Sequence, residues 1–405
     1  MTDTDLGGRL SQVRRRRGLT QEELGERSGV SVAVINKLEQ GQRESVRVVT
    51  LHALARGLDI RTAELFEGAA YMDDTEERGR VALLPLRRVL EPAPPGHGPS
   101  ADAVSVGALR VMTEDVARLY NDSRLNDAVT ELPAVLATAQ AAVAASDDSD
   151  RATTGRLLAF TYIITGSVLI QLRHEDLAYS AIRQAADAAA SVGDDLIRGS
   201  TASYLAWIFL RQGRFSDAEE TAVRMAEEIE PSLSQSTPEH ISIWGRLLVR
   251  ASACAGRNNS PERASDLLRL ARSAAARVER DRLDYGQYFA SFGPTTVAAM
   301  EVEMALTTGD AVRALALART VPFSAHIPQS TWTRHLLAVA EAQTAVRDYN
   351  AAVNTVGQLR DTAPEWLRNQ KLAHYIVRDL LDAATVRRAR KVGLADLASY
   401  MGLRP

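Results

Sequence analysis

Two groups of side chains in this sequence have types and spacings that suit recognition. The first lies in residues 20–43, TQEELGERSGVSVAVINKLEQGQR. Read as two short helices around a glycine turn, this stretch sets Val32, Ala33, Asn36 and Lys37 on one outward face. Polar groups so placed can hydrogen-bond base edges in a DNA major groove, and small apolar groups can touch thymine methyls. Gln21 and Ser31 open the two helices, where unpaired backbone N–H groups favour phosphate. Arg43 and Arg47 follow on the next loop and are placed for phosphate contacts.

The second group is aromatic and basic. Tyr204, Trp207 and Arg211 fall at i, i+3 and i+7, and Tyr285, Tyr288, Phe289 and Phe292 at i, i+3, i+4 and i+7. Trp332 with His335, and Trp244 with Arg250, form two shorter sets. Aromatic rings beside guanidinium groups suit a peptide or an amphipathic small molecule bearing a carboxylate. The same spacing equally suits core packing between helices, and both readings stand at this point. Chemistry of the bond-making kind has no signature. The seven histidines are scattered, with no HExxH, P-loop, GxSxG or neighbouring Cys–His pair. The expectation is a protein that is not an enzyme, with no cofactor and no metal. Carboxylate pairs such as Asp147-Asp148 and Asp194-Asp195 read as helix caps in polar turns.

The elements that must hold the first group carry their own start and stop signals. Thr20 and Glu23 have capping-box spacing, and Leu19 and Leu24 flank them as a hydrophobic staple. Gly29 suits the left-handed residue that ends a helix. Ser31 is a second N-cap, Val30 and Ile35 a second staple, and Gly41 closes the second helix. Ile35 and Leu38 are spaced to face inward.

These residues, LTQEELGERSGVSVAVINKLEQGQR together with TLHALARGLDI, resemble the Cro/C1-type helix-turn-helix, or XRE, family over residues 6–67. The resemblance implies five helices, at about 6–17, 21–28, 32–40, 48–56 and 62–66. It implies operator contacts by Gln21, Ser31, Val32, Ala33 and Lys37, and an internal brace between Arg14 and Glu39. Many relatives carry a proline in the loop that reads RESVRV here, so that loop should be less rigid. Val32 and Ala33 offer no hydrogen bonds, which shifts readout toward Asn36, Lys37 and DNA shape.

The 405 residues carry a net charge of −3, yet Arg9 to Arg47 hold nine basic and five acidic residues. A mildly basic tip on an acidic body suits a protein that leaves non-specific DNA readily. One cysteine, Cys254, sits among apolar residues and reads as core. It permits no disulfide within the chain, fitting a reducing cytosol. No signal peptide and no run of transmembrane length is apparent, so a cytoplasmic protein without membrane contact is expected.

Residues 68–104 hold a proline-rich linker, EPAPPGHGPSAD, and one short helix, VALLPLRRVLE, able to dock on a neighbour. Beyond residue 104 apolar residues keep helical spacing with almost no strand signal. Leu210, Gly213, Phe215 and Ala218 have the turn chemistry of a tetratricopeptide repeat. Weaker copies place matching alanines at Ala181, Ala264, Ala314 and Ala352, and a leading helix pair is expected in 105–145. The combination resembles peptide-responsive quorum-sensing regulators and similarly built regulators of high-GC bacteria. The sequence therefore predicts an all-α chain: a five-helix lambda-repressor-like DNA-binding domain (1–67), a linker (68–104) and a tetratricopeptide-like α-solenoid (105–405). The implied partners are a double-stranded DNA operator, a second copy of the chain in a homodimer, and a small-molecule or peptide effector. The alternative is an interaction scaffold whose repeats grip a partner protein, with DNA binding secondary.

Overall fold

The computed structural model describes residues 6–42, 46, 48–58, 60, 65, 83–91, 104–232, 236–283, 288, 291–321, 327–387 and 393–403. Of these, all regular structure is helical except one antiparallel pair of two-residue strands. The first four helices are α1 (Leu6–Arg16), α2 (Gln21–Ser28), α3 (Val32–Glu39) and α4 (Val48–Leu58). Their apolar faces meet in a small core of Leu10, Leu24, Ile35, Leu38, Leu51, Leu54 and Leu58. Close approach here depends on a missing side chain. A Cβ at Gly7 would stand 1.8 Å from the Leu38 carbonyl oxygen, so α1 can cross α3 only with glycine at that crossing. Of the expected fifth helix, only Leu65 lies within the described residues.

The short helix expected in the linker is α5 (Leu84–Leu90). Leu86 and Leu90 are buried on the body, and Gln140 and Gln184 donate to the Val89 and Leu90 carbonyls at 3.2 and 3.0 Å. The proline-rich stretch after Glu91 lies outside the described residues.

The body contains α6 (Val106–Asn121), α7 (Leu125–Ala145), α8 (Arg151–Gln171), α9 (Glu175–Val192), α10 (Asp195–Arg211), α11 (Phe215–Glu228), α12 (Pro238–Arg257) and α13 (Pro261–Val278). After strands β1 (Arg282–Leu283) and β2 (Ser291–Phe292) come α14 (Pro294–Thr307), α15 (Ala311–Ala318), α16 (Gln329–Ala345) and α17 (Tyr349–Thr362). Then follow α18 (Pro364–Arg368), α19 (Lys371–Arg387) and α20 (Leu394–Tyr400).

Six turns in this body share one geometry. Ser123, Arg173, Gly213, Asn259, Gly309 and Arg347 all have positive φ, and in each case the next helix begins two residues later. At all six the following residue donates its N–H five residues back, to Leu119, Leu169, Phe209, Ala255, Ala305 and Gln343. That is the Schellman closure of a helix C-terminus. Five residues after each left-handed position stands a fully buried alanine: Ala128, Ala178, Ala218, Ala264, Ala314 and Ala352. The small side chain lets the second helix of each pair lie close to the first. This register corrects the sequence alignment in one place, because Ala178 and not Ala181 holds the position after the second turn. It also supplies the matching alanine, Ala128, of the leading helix pair expected in 105–145.

The first helices of the six pairs, α6, α8, α10, α12, α14 and α16, each touch the next. The last, α16, also touches the first, α6, so this inner layer closes. Stacked repeats of an open solenoid leave an extended concave face, but here the long-range contact between α6 and α16 brings the two ends of the layer together around the interior. Two body helices, Leu125–Ala145 and Arg151–Gln171, are long and apolar enough to cross a membrane, contrary to the expectation from sequence. Their most apolar windows are 56% and 83% buried inside the protein, where they serve as core helices.

The segment carrying Tyr285, Tyr288, Phe289 and Phe292 is not one helix face. Phe292 lies in β2, paired with Arg282, and is buried against Gly245, whose absent Cβ makes room for its ring. Periodicity failed here because aromatic residues suit a short strand as well as a helix. Pro294 ends the segment by opening α14.

Candidate DNA interface and buried cationic interior

The reading head is built from two capped helices. Thr20 Oγ1 accepts from the Glu23 N–H at 3.1 Å, and Glu23 Oε2 accepts from the Thr20 N–H at 2.7 Å, completing the capping box. Gly29 is left-handed (φ 70°) and donates to the Gly25 carbonyl, so α2 stops where the sequence places its end. Ser31 has the extended backbone of an N-cap, but its hydroxyl makes no cap hydrogen bond. That exposed hydroxyl is therefore unused within the helix it opens.

A buried ion pair fixes α3 against α1. Arg14 Nε donates to Glu39 Oε1 at 2.7 Å and Nη2 to Oε2 at 2.8 Å, while Nη1 donates to the Leu19 carbonyl at 2.7 Å. Such a two-point fork fixes orientation as well as distance. Burial pushes the Glu39 carboxyl up, but hydrogen bonds from Arg14 and Gln21 outweigh it and hold the group below the usual carboxylate range. The sequence expectation of an internal brace is met. Gln21 joins that brace, its Nε2 donating to Glu39 Oε2 at 2.8 Å, so only part of its amide remains for DNA.

The outward face of α3 is open. Ala33, Asn36 and Lys37 are exposed and Val32 is half-buried, whereas Ile35 and Leu38 point into the core. The head rests on the body through α4, which touches α14 and α19. Arg56 Nη1 donates to the Thr308 carbonyl at 3.2 Å, and Asn259 Nδ2 donates to the Ile60 carbonyl at 3.0 Å. The docking contacts thus use a different helix from the one that carries the candidate base readers. Arg43 and Arg47 lie outside the described residues.

In the body, Tyr204, Trp207 and Arg211 do share a face of α10, and α12 packs against that helix. Arg250 lies over the Trp207 ring at 4.9 Å, and Arg246 lies 5.3 Å from the Tyr204 ring centroid with Nη2 donating to the Tyr204 hydroxyl at 3.3 Å. Arg246 also donates to the Ser291 carbonyl, and Arg211 to the Ile170 carbonyl. Trp332 and His335 stack at 5.1 Å. His335 is 4% exposed, and its Nδ1 has no hydrogen-bond partner. Trp244 and Tyr288 are half-buried on the edge of the core. Tyr285 and Phe289 lie outside the described residues.

The electrostatics of this interior divide into two parts. Glu303 binds Arg334 twice, at 2.8 and 3.1 Å, and Arg257 at 3.4 Å. Burial pushes the Glu303 carboxyl up, but these two cations overcome that and bring it down to about 2. Arg250 has no such partner. Burial and the neighbouring Arg246 and Arg334 draw its guanidinium down to about 9. Burial likewise draws Arg211 well below its ordinary value, with repulsion from Arg173 and Arg334. Glu341, half-buried near Arg257 and Glu303, is pushed up to about 7 by burial. Cys254 is a buried free thiol pushed up to about 11, as suits a core residue.

Sequence reasoning missed Arg246, Arg257, Glu303 and Arg334. Arg246 had a signal, since it precedes Arg250 by four residues on one face. Glu303 and Arg334 are 31 residues apart, and only the packing of α14 on α16 joins them. No group of three or more metal-ligating side chains occurs among the described residues.

Comparison with known proteins agrees with the geometry of the head. The helix-turn-helix domain family matches residues 5–67. An uncharacterized HTH-type transcriptional regulator, y4dJ of Sinorhizobium fredii, is 42% identical over 60 residues, which is 15% of this chain and 77% of that protein. Through its head, the chain belongs to the helix-turn-helix family of DNA-binding transcriptional regulators.

Proposed function

We propose that this protein is a sequence-specific regulator of the XRE subtype whose helical body senses an effector and thereby controls operator binding. The observation that carries the DNA half is the exposed face of α3, Ala33, Asn36 and Lys37, held on a braced head that docks through α4. Asn36 and Lys37 supply base-edge and phosphate contacts, and Ser31 offers its hydroxyl with the α3 N-terminus to a phosphate.

The repeated turns, each followed by a buried alanine, support reading the body as a tetratricopeptide-like repeat domain. In this reading residues 1–67 read DNA, 68–104 link, and 105–405 dimerise and bind the effector. Two heads of a dimer would meet half-sites roughly 34 Å apart. An effector that prefers one arrangement of the inner layer would shift the population of head spacings. The protein works in the cytoplasm and catalyses no reaction.

Fluorescence anisotropy with fragments of genomic operator DNA tests the first half. Salt-sensitive, sequence-selective binding is expected, and its absence would favour the interaction scaffold. Sedimentation of the protein with a two-half-site duplex tests the dimer, with a 2:1 complex expected.

A further inference from the structure

We infer that the interior enclosed by the inner helices takes a small oxyanion, a carboxylate or phosphate carried on a flat apolar body. Arg211, Arg246 and Arg250 hold the anion, and Trp207, Tyr204 and His335 pack against the apolar part. This rests on the effector-binding reading above and adds the charge and shape of the effector.

Burying a charge is costly unless an opposite charge and hydrogen bonds accompany it. The chain follows that rule for Arg14, which has Glu39, and for Arg334 and Arg257, which share Glu303. Among the described residues, Arg211, Arg246 and Arg250 form no ion pair. Glu175 acts on Arg211 only at longer range, its Oε1 lying 3.4 Å from Arg173 in an ion pair without a hydrogen bond. Stacking on Trp207 and Tyr204 stabilises the cations without neutralising them.

Beside one acceptor, Glu175 Oε1, and several hydroxyls, the unpartnered atoms include four N–H groups. Arg211 Nε, Arg246 Nε, Arg250 Nε and Trp207 Nε1 are all buried and without a hydrogen-bond partner. Each is an N–H that can only donate. Ser203 Oγ, fully buried, and His335 Nδ1 lack partners as well. A group that answers four donors must be rich in acceptors, and one that answers three guanidiniums must be negative. The planar faces of Trp207 and Tyr204, both about 5% exposed or less, suit a flat apolar body.

Size follows from closure. The contact of α16 with α6 completes the ring, and Trp366 Nε1 on α18 donates to Gln171 Oε1 at 3.0 Å across one side. A layer closed in this way favours a compact ligand over an extended chain.

The test uses full-length protein and four probes: 1-naphthoate, 1-naphthyl phosphate, neutral 1-naphthamide and inorganic phosphate. Thermal unfolding and tryptophan fluorescence are followed as each is titrated. A saturable rise in the unfolding midpoint with at least one aryl anion is expected, with far less from the amide or from phosphate alone. Arg250→Met and Arg211→Met should each weaken that binding about 10–100-fold, the worth of a charge-assisted hydrogen bond. Without any probe, Arg250→Met should unfold at a higher temperature than the parent, because an unpaired buried charge has been removed. A structural arginine would give the opposite shift.

No saturable shift with either aryl anion overturns the inference, whatever the variants do. An equal response to the amide also overturns it, while leaving the effector reading intact. An equal response to inorganic phosphate removes the apolar half. Failure of the wider reading has its own sign: operator affinity unchanged by cell extracts as well as by all four probes.

Discussion

The protein half-buries arginine in two places and treats it differently in each. In the head, Arg14 meets Glu39 through two parallel hydrogen bonds, and its third donor caps the Leu19 carbonyl. In the interior of the body, Glu303 satisfies Arg334 and Arg257, while Arg211, Arg246 and Arg250 form no ion pair. The first arrangement builds a fold. The second leaves a surplus of positive charge and donor groups that the fold does not need. The comparison teaches that burial of a charged residue says little alone, and that the presence or absence of its partner separates scaffold from site.

The comparison breaks most readily at Glu303. Replacing it with alanine strands two more cations beside three already unpaired, and a loss of about 3–5 kcal/mol is expected in urea unfolding. A loss below about 1 kcal/mol would mean that the interior tolerates unpaired arginine generally, and the contrast would disappear. The same carboxyl sets an acid limit. Its value in the folded protein, about 2, lies below the ordinary 4.5, so its stabilisation is complete above 4.5 and is lost as pH falls through about 2. Acid titration of the parent against Glu303→Gln should converge at the low end of that window.

Glu39→Ala is the matching cut in the head, expected to cost about 3 kcal/mol because it strands Arg14 beside the core. It should also weaken operator binding while leaving Lys37 exposed, since α3 loses its brace to α1. Unchanged stability would show that the apolar core alone orients α3.

Smaller effects sharpen the DNA half. Lys37→Ala should weaken binding to all sequences similarly and lower the slope of log affinity against log salt by about one. Asn36→Ala should instead narrow the gap between operator and random DNA by about 1–3 kcal/mol. Identical behaviour of both variants and parent would place the interface away from α3. The smallest effect concerns Glu341. Burial raises its pKa to about 7, so the protein is relatively favoured below the ordinary 4.5 and pays most above 7. Glu341→Gln should therefore raise the unfolding midpoint at pH 8 and leave it unchanged near pH 4.

Legibility from sequence followed the range of the interactions. The capping box at Thr20 and Glu23, the left-handed Gly29 and the docked helix Leu84–Leu90 are local, and the residues themselves carry the signal. The six left-handed turns were only half legible, because Gly213 and Gly309 announce the conformation while Ser123, Arg173, Asn259 and Arg347 do not. The aromatic stripe ending at Phe292 misled because spacing alone cannot separate a helix face from a short hairpin.

By itself, then, the sequence determined an all-helical chain with a helix-turn-helix head, because caps, staples and apolar periodicity act within a few residues. Only the tertiary structure decided that α6 and α16 meet, that Glu303 answers Arg334 and Arg257, and that three arginines are left over. Charge compensation in a low-dielectric interior depends on distances between elements far apart in the chain, and those distances exist only once the inner layer has closed.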